Sequence, residues 1–407
     1  MFLFTPKSKA YDDEALESYL IRIVNENFFD SYQQLSRAIK DELRELDFEA
    51  YGAFPLDLKL LNIYHAMQDS HFRMRALELL ESLLNLSKYE LQKLAIFRSN
   101  RKINSQSTVN WKGIDFPLSF VRYDGASSYS IPICPECLRS EPYIRQVWHF
   151  KHYQACDKHN IDLIEHCPSC NLFINYIVNE SITHCSCGFE LTNTKPLKAP
   201  EFNILLSSSM RGKILDSSNP ILNDTPLYQK LSAIAWFQKR YFELDSFDNE
   251  SIINYFEKWP QNFYQELDEI AKKAELKLID TFNKTSFTFI FGNLISSSNL
   301  LSEYKSGEHF IWIMVENYLL DLVNKNPKSQ KPNIADSLLS IAEASAFLST
   351  SYEQVYRLYE SGTLKAAFRP KIKQKLTTNE GVFFLRQVVE LKKSFGDHYS
   401  GVYLSKW

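Results

Sequence analysis

The stretch CPECLRSEPYIRQVWHFKHYQACDKHNIDLIEHCPSCNLFINYIVNESITHCSCG (134–188) holds all seven cysteines of the 407-residue chain. They fall as CPEC (Cys134, Cys137), CDKH (Cys156, His159), CPSC (Cys167, Cys170) and CSC (Cys185, Cys187). Two thiolates separated by two residues in a tight turn reach one tetrahedral ion at about 2.3 Å. Pro135 and Pro168 help to fix two of those turns. One pair supplies half a site. Eighteen residues separate Cys137 from Cys156 and fourteen separate Cys170 from Cys185, lengths that suit the loop of a zinc ribbon or finger.

Pairing neighbours in order assigns Cys134, Cys137, Cys156 and His159 to one Zn2+, and Cys167, Cys170, Cys185 and Cys187 to a second. Eight ligands fill two sites with no cysteine left over. Interleaved sharing of the ligands is the alternative that their order leaves open, and a reduced cluster of buried thiols is the plain one. His149, His152, His166 and His184 lie in the same region, but only His159 repeats the two-residue spacing of a knuckle. Both sites would be saturated by protein donors, whereas a catalytic zinc keeps a position open. HxE and HExxH base motifs are absent. The expectation is two structural ions and a protein that is not an enzyme.

Composition agrees with that expectation. Eleven glycines are few, and neither GxGxxG nor GxxxxGK[ST] occurs, which argues against a phosphate-cradling enzyme. With 46 basic and 49 acidic residues the net charge is −3, unlike a protein that wraps nucleic acid with its whole surface. Carboxylate neighbours such as Asp41 with Glu42, or Asp268 with Glu269, read as solvated helix faces. The start, MFLFTPKSKAYDDE, carries no signal-peptide run, and the longest uncharged stretch (Thr285 to Ser302) is too polar to cross a membrane. The expected location is the cytoplasm. Thiols stay reduced in that compartment, so clustered cysteines favour metal over disulfides.

Periodicity makes the chain mainly α. Residues 1–110 read as a helical domain with a possible helix-turn-helix. Leu16, Tyr19, Leu20, Ile23 and Val24 form a stripe behind an N-cap expected at Asp12 or Asp13. Residues 111–200 form the tandem zinc-ribbon or finger module, with a β-prone piece at Phe173 to Val178. Residues 201–330 are helical again, clearest at Leu231 to Phe242 and Phe310 to Val323. NPKSQKPN (326–333) is a linker to a module at 331–407.

That last module, from SIAEASAFLSTSYEQVYRLYESGTLKA (340–366), reads as a winged-helix-like helix-turn-helix resembling excisionase and MerR-type modules. Ile341, Ala344 and Leu348 pack inward from its first helix. Val355, Leu358 and Tyr359 do so from the second, with Gly362 as the stop. Residues 331–407 hold 11 basic and 7 acidic side chains. Gln354 and Arg357 would face a groove, and Lys365, Arg369, Lys371, Lys373 and Lys375 would meet phosphates. The alternative is a solvated wing on a protein-docking module.

Pro6 with YDDEALESYLIRI, CPEC, the WHF…CDKH block with Leu163 behind it, CPSC and CSCG together resemble the TniQ/TnsD transposition proteins. The resemblance covers roughly residues 1–200, with echoes at YFEKWP (255–260) and FIFGNL (289–294). Tyr19 stands where the family usually has Trp. It implies a role in target selection for Tn7-like transposition. Length and weak charge make the chain most like the compact TniQ of CRISPR-associated transposons, where a homodimer docks on a guide-RNA Cascade complex. There it would recruit the AAA+ regulator TnsC beside target DNA, with no membrane involved. The second class is a target selector that reads its own DNA site.

Overall fold

The computed structural model of the chain describes residues 9–61, 70–103, 106–122, 130–241, 249–277, 281–301, 309–368 and 377–398. Its contacts group the chain into two compact units. The first takes Met1–Leu231 and Tyr241–Asn254, the second Ser232–Arg240 and Tyr255–Trp407.

The first unit begins with helices α1 (Leu16–Glu26), α2 (Tyr32–Leu46), α3 (Phe48–Ala53), α4 (Leu58–Leu61), α5 (Ser70–Leu83) and α6 (Glu90–Leu94). The expected stripe of α1 is buried throughout. Leu35, Ile39 and Leu43 of α2 are fully buried at i, i+4 and i+8, so the two helices bury facing apolar stripes. Ser31 caps α2 by accepting from the Gln34 N–H, and Asp47 caps α3.

The α1 cap departs from the sequence reading. Ala15 occupies the cap position and makes no side-chain bond. Asp13 is drawn away by Arg145 and Arg211, and the α1 entry is pinned by backbone instead. Gln146 N–H donates to Asp13 O at 2.7 Å, and Ala15 N–H to Ile144 O at 2.8 Å. The end of the segment expected to be helical is also extended. An antiparallel meander forms from β1 (Phe97–Ile103), β2 (Gln106–Trp111) and β3 (Ile114–Pro117). Buried Trp111 donates its indole N–H to Gln146 at 2.9 Å, and Gln146 donates to the Lys93 carbonyl at 2.7 Å.

The cysteine-rich segment has little regular structure. It contains α7 (Pro135–Ser140), the pair β4 (Ala155–Cys156) and β5 (Ile161–Asp162), and the short α8 (Tyr176–Asn179). The β-prone piece therefore splits, with Phe173 in a bridge to His166 and Tyr176 onward in α8. Then come α9 (Glu201–Met210), α10 (Leu227–Arg240) and α11 (Asn249–Glu257).

The second unit continues with α12 (Gln261–Lys277), α13 (Phe287–Phe291), α14 (Leu294–Asn299) and α15 (Phe310–Lys325). Its C-terminal part is β6 (Leu338–Ser340), α16 (Ile341–Phe347), α17 (Tyr352–Glu360), β7 (Gly381–Phe384) and α18 (Leu385–His398). β6 pairs antiparallel with β7, and Ala366 bridges Phe383, so a wing follows the two helices. Ser340 and Glu343 form a reciprocal capping box on α16, and Ser351 caps α17. Ile341, Ala344, Leu348 and Val355 are buried as expected. Gly362, at φ +76°, ends α17 in the left-handed region. A Cβ on Gly381 would lie 2.9 Å from the Leu338 Cβ, so the β6–β7 crossing requires glycine there. Among the described residues no helix is long and apolar enough to cross a membrane.

Candidate metal centre

Each ligand sits on a turn whose hydrogen bonds are local. Cys134 is the N-cap of α7, with Pro135 at the first helical position, and its sulfur accepts from the Cys137 N–H at 3.4 Å. The β4–β5 hairpin presents Cys156 and His159, closed by Asn160 N–H to Cys156 O at 2.8 Å. The Cys167–Cys170 turn repeats this closure, with Asn171 N–H to Cys167 O at 2.8 Å. The Cys185–Cys187 turn closes through Gly188 N–H to Cys185 O at 2.9 Å. Asn160, Asn171 and Gly188 all have positive φ (56°, 57° and 83°), a conformation that Asn and Gly tolerate best.

These turns bring the donors into two groups of four. In the first, Cys134, Cys137, Cys156 and His159 converge. His159 Nδ1 lies 3.4 Å from the sulfurs of Cys134 and Cys137 and 3.5 Å from that of Cys156, and Cys137 and Cys156 sulfurs are 3.5 Å apart. In the second, Cys167 and Cys187 sulfurs are 3.8 Å apart and Cys170 and Cys185 sulfurs 3.6 Å. A tetrahedron with ligand bonds of about 2.3 Å has edges of about 3.8 Å, a little shorter where one donor is nitrogen. The observed separations are those edges. Two Cys/His clusters, divided in chain order, could each hold a metal ion.

The other histidines are engaged elsewhere. Burial pushes His149 down to about 3, and its Nε2 lies 3.0 Å from the Tyr176 hydroxyl. Burial likewise lowers His152 to about 4, and its Nδ1 lies 3.0 Å from Asn249 Oδ1. His166 packs against the Phe173 ring, and His184 Nδ1 meets Thr183 Oγ1 at 3.0 Å.

Charged side chains anchor the first cluster to the α1 entry. Asp13 receives Arg145 at 2.9 Å, Arg211 at 2.6 Å and the Tyr143 hydroxyl at 2.7 Å. Burial by itself would raise the Asp13 carboxyl. The Tyr143 hydroxyl and the two guanidiniums outweigh it and hold Asp13 at about 2. Asp157, next to the ligand Cys156, pairs with Lys213 at 2.9 Å and accepts from Tyr153 at 2.6 Å. Sequence reasoning missed this anchor, which joins residues far apart in the chain. It also missed the Asn that follows His159 and Cys170, a repeated letter that marks both turns.

Residues 6–163 match the TniQ family model. A TniQ domain occupies this segment. That domain supports a role in target selection for Tn7-like transposition. The TniQ match spans α1 to β5 and all four donors of the first cluster, and it ends before Cys167. Tyr19, at the position of the usual Trp, is 1% exposed. The chain matches no curated protein sequence.

The candidate nucleic-acid residues divide. Arg357 and Lys365 are exposed, and Gln354 is half-buried on α17. Arg369, Lys371, Lys373 and Lys375 lie outside the described residues. Exposed Glu353 and Glu360 share α17 with Arg357, so the described part of this helix is not a basic face.

Proposed function

We infer that this TniQ-domain protein is a non-enzymatic adaptor of RNA-guided transposition. A homodimer docks on a guide-RNA Cascade complex and recruits the AAA+ regulator TnsC, which fixes the integration site on nearby DNA. It works in the cytoplasm, at the nucleoid. The observation that carries this reading is the TniQ match over residues 6–163, together with the near-neutral charge of −3. Recognition delegated to base pairing requires protein-facing surfaces more than a basic groove.

Both clusters take Zn2+ in this reading. Mixed thiolate and imidazole donors at tetrahedral edges suit zinc, and four protein donors leave no position for a reacting water. The ions stabilise the fold, on the order of 10 kcal/mol each on the zinc-peptide scale. The residues themselves supply only the turns, the N-cap thiolate and the Asp13 anchor.

The test is a tagged pull-down from cells co-expressing the neighbouring genes, with every bound protein and RNA identified. Recovery of a stoichiometric guide-RNA complex together with TnsC is expected. The second reading, a DNA-binding selector, draws on the winged module with exposed Arg357 and Lys365. Recovery of a defined DNA site without RNA would favour it. So would binding whose log K falls by about 0.9 per neutralised phosphate with log salt.

A further inference from the structure

The two clusters differ in what they show to solvent. In the first, Cys134, Cys137 and Cys156 are 0–1% exposed, and the open edge is the ring of His159. In the second, Cys167 and Cys185 are buried, Cys170 is half-buried and Cys187 is exposed. The open edge of one cluster is a nitrogen, which peroxides do not oxidise. That of the other is a thiolate, which they do. Four thiolates around a divalent ion also leave that cluster more negative than three thiolates and an imidazole.

We propose that Cys167, Cys170, Cys185 and Cys187 form a peroxide-sensitive zinc site, with Cys187 as the attacking thiolate and Cys167 as its resolving partner. The inference rests on the reading that both clusters bind zinc. The chemistry balances with hydrogen peroxide as oxidant. The Cys187 sulfur attacks one peroxide oxygen; an S–O bond forms, the O–O bond breaks, and hydroxide leaves and takes up a proton as water. The Cys167 sulfur, 3.8 Å away, then attacks the sulfenic sulfur. The S–S bond forms, the S–O bond breaks, and a second hydroxide leaves as water. Two thiolates lose two electrons, one peroxide becomes two waters, and the ion keeps only two of its four donors.

Loss of that ion has a local consequence. Leu172 and Phe173, on the turn that Cys167 and Cys170 close, are 58% and 48% exposed. In this reading the ion ties this turn to the Cys185–Cys187 turn, whose sulfurs lie 3.6 and 3.8 Å from its own. Peroxide would therefore unfix one apolar tip while the buried cluster, which lies within the TniQ match, keeps its zinc.

The test uses the full chain as purified with zinc. Metal content is measured first, and about two ions per chain are expected. A value near zero or one overturns both the zinc reading and this inference. Peroxide is then added with a chromogenic chelator present, and the cysteines are mapped by alkylation and mass spectrometry. Release of one of the two ions is expected, with a Cys167–Cys187 disulfide and with Cys134, Cys137 and Cys156 still reduced. Release of both ions together, first oxidation at the buried three, or no release would overturn the inference while leaving the zinc reading intact. Cys187→His, which replaces the open thiolate by nitrogen, should keep two ions and lose the fast release. If that variant does not take up zinc, the wild-type map decides alone.

Discussion

Glu17 lies on α1 at 2% exposure, and no hydrogen-bond partner among the described residues reaches its Oε1. The Tyr176 hydroxyl donates to its Oε2 at 3.4 Å, and His149 stands behind Tyr176, neutral at pH 7. Arg22 is committed to Glu14, while Glu180 accepts from the Tyr32 N–H. Burial therefore raises Glu17 from 4.5 to about 7, against the weaker pull of its own backbone N–H and Tyr176. A folded-state value above the unfolded one means that the folded chain holds the extra proton. The associated stability is complete below about pH 4.5 and is lost as pH rises through 7. At 1.36 kcal/mol per unit the loss is about 3 kcal/mol. Urea unfolding at pH 5 and pH 8 should show wild type losing more stability over that interval than Glu17→Gln. Equal losses would mean that Glu17 is ionised in the fold.

At the scale of elements, short-range rules worked where the partners lie within one turn. The SIAE run at 340–343 forms the capping box of α16, closed by Glu343 N–H to Ser340 Oγ at 3.2 Å and Ser340 N–H to Glu343 Oε2 at 2.8 Å. Ser340→Ala should lower the stability of the winged module by about 1 kcal/mol, read as a shift in its urea midpoint. An unchanged midpoint would mean that burial of Ile341 alone sets the helix start. The α1 cap failed as a prediction because Asp13 answers to Arg145 and Arg211, 132 and 198 residues downstream. No local pattern carries that information. The β1–β3 meander was missed for a related reason. Its outer strand, FRSNRKI, is polar enough to read as the end of a helical domain, and pairing with β2 rather than composition makes it a strand.

For the molecule as a whole, both candidate metal clusters found among the described residues fall in the first compact unit, and the winged module falls in the second. The second unit buries its own core, including Ile311, Val315, Leu319, Leu339, Phe347 and Val388. Chelation should therefore act unevenly. In hydrogen exchange with excess chelator, amides between 131 and 210 should lose protection while those of α15, α16 and α18 keep it. Loss of protection across both units at once would show that the winged module depends on metal for its fold.

The cysteine spacing by itself marked the eight candidate side chains and the turns that carry them, because each turn is closed by bonds within five residues, while the division into two groups of four in chain order, rather than an interleaved one, came from the fold. It determined the helical stripes and the two-helix start of the winged module for the same reason. Only the tertiary structure decided that His159 turns Nδ1 toward the three sulfurs, that Asp13 serves as an anchor rather than a cap, and that one cluster is buried while the other opens a thiolate to solvent. The Asp13 anchor joins segments more than a hundred residues apart, His159 meets sulfurs up to 25 residues away, and burial is a property of how such segments pack.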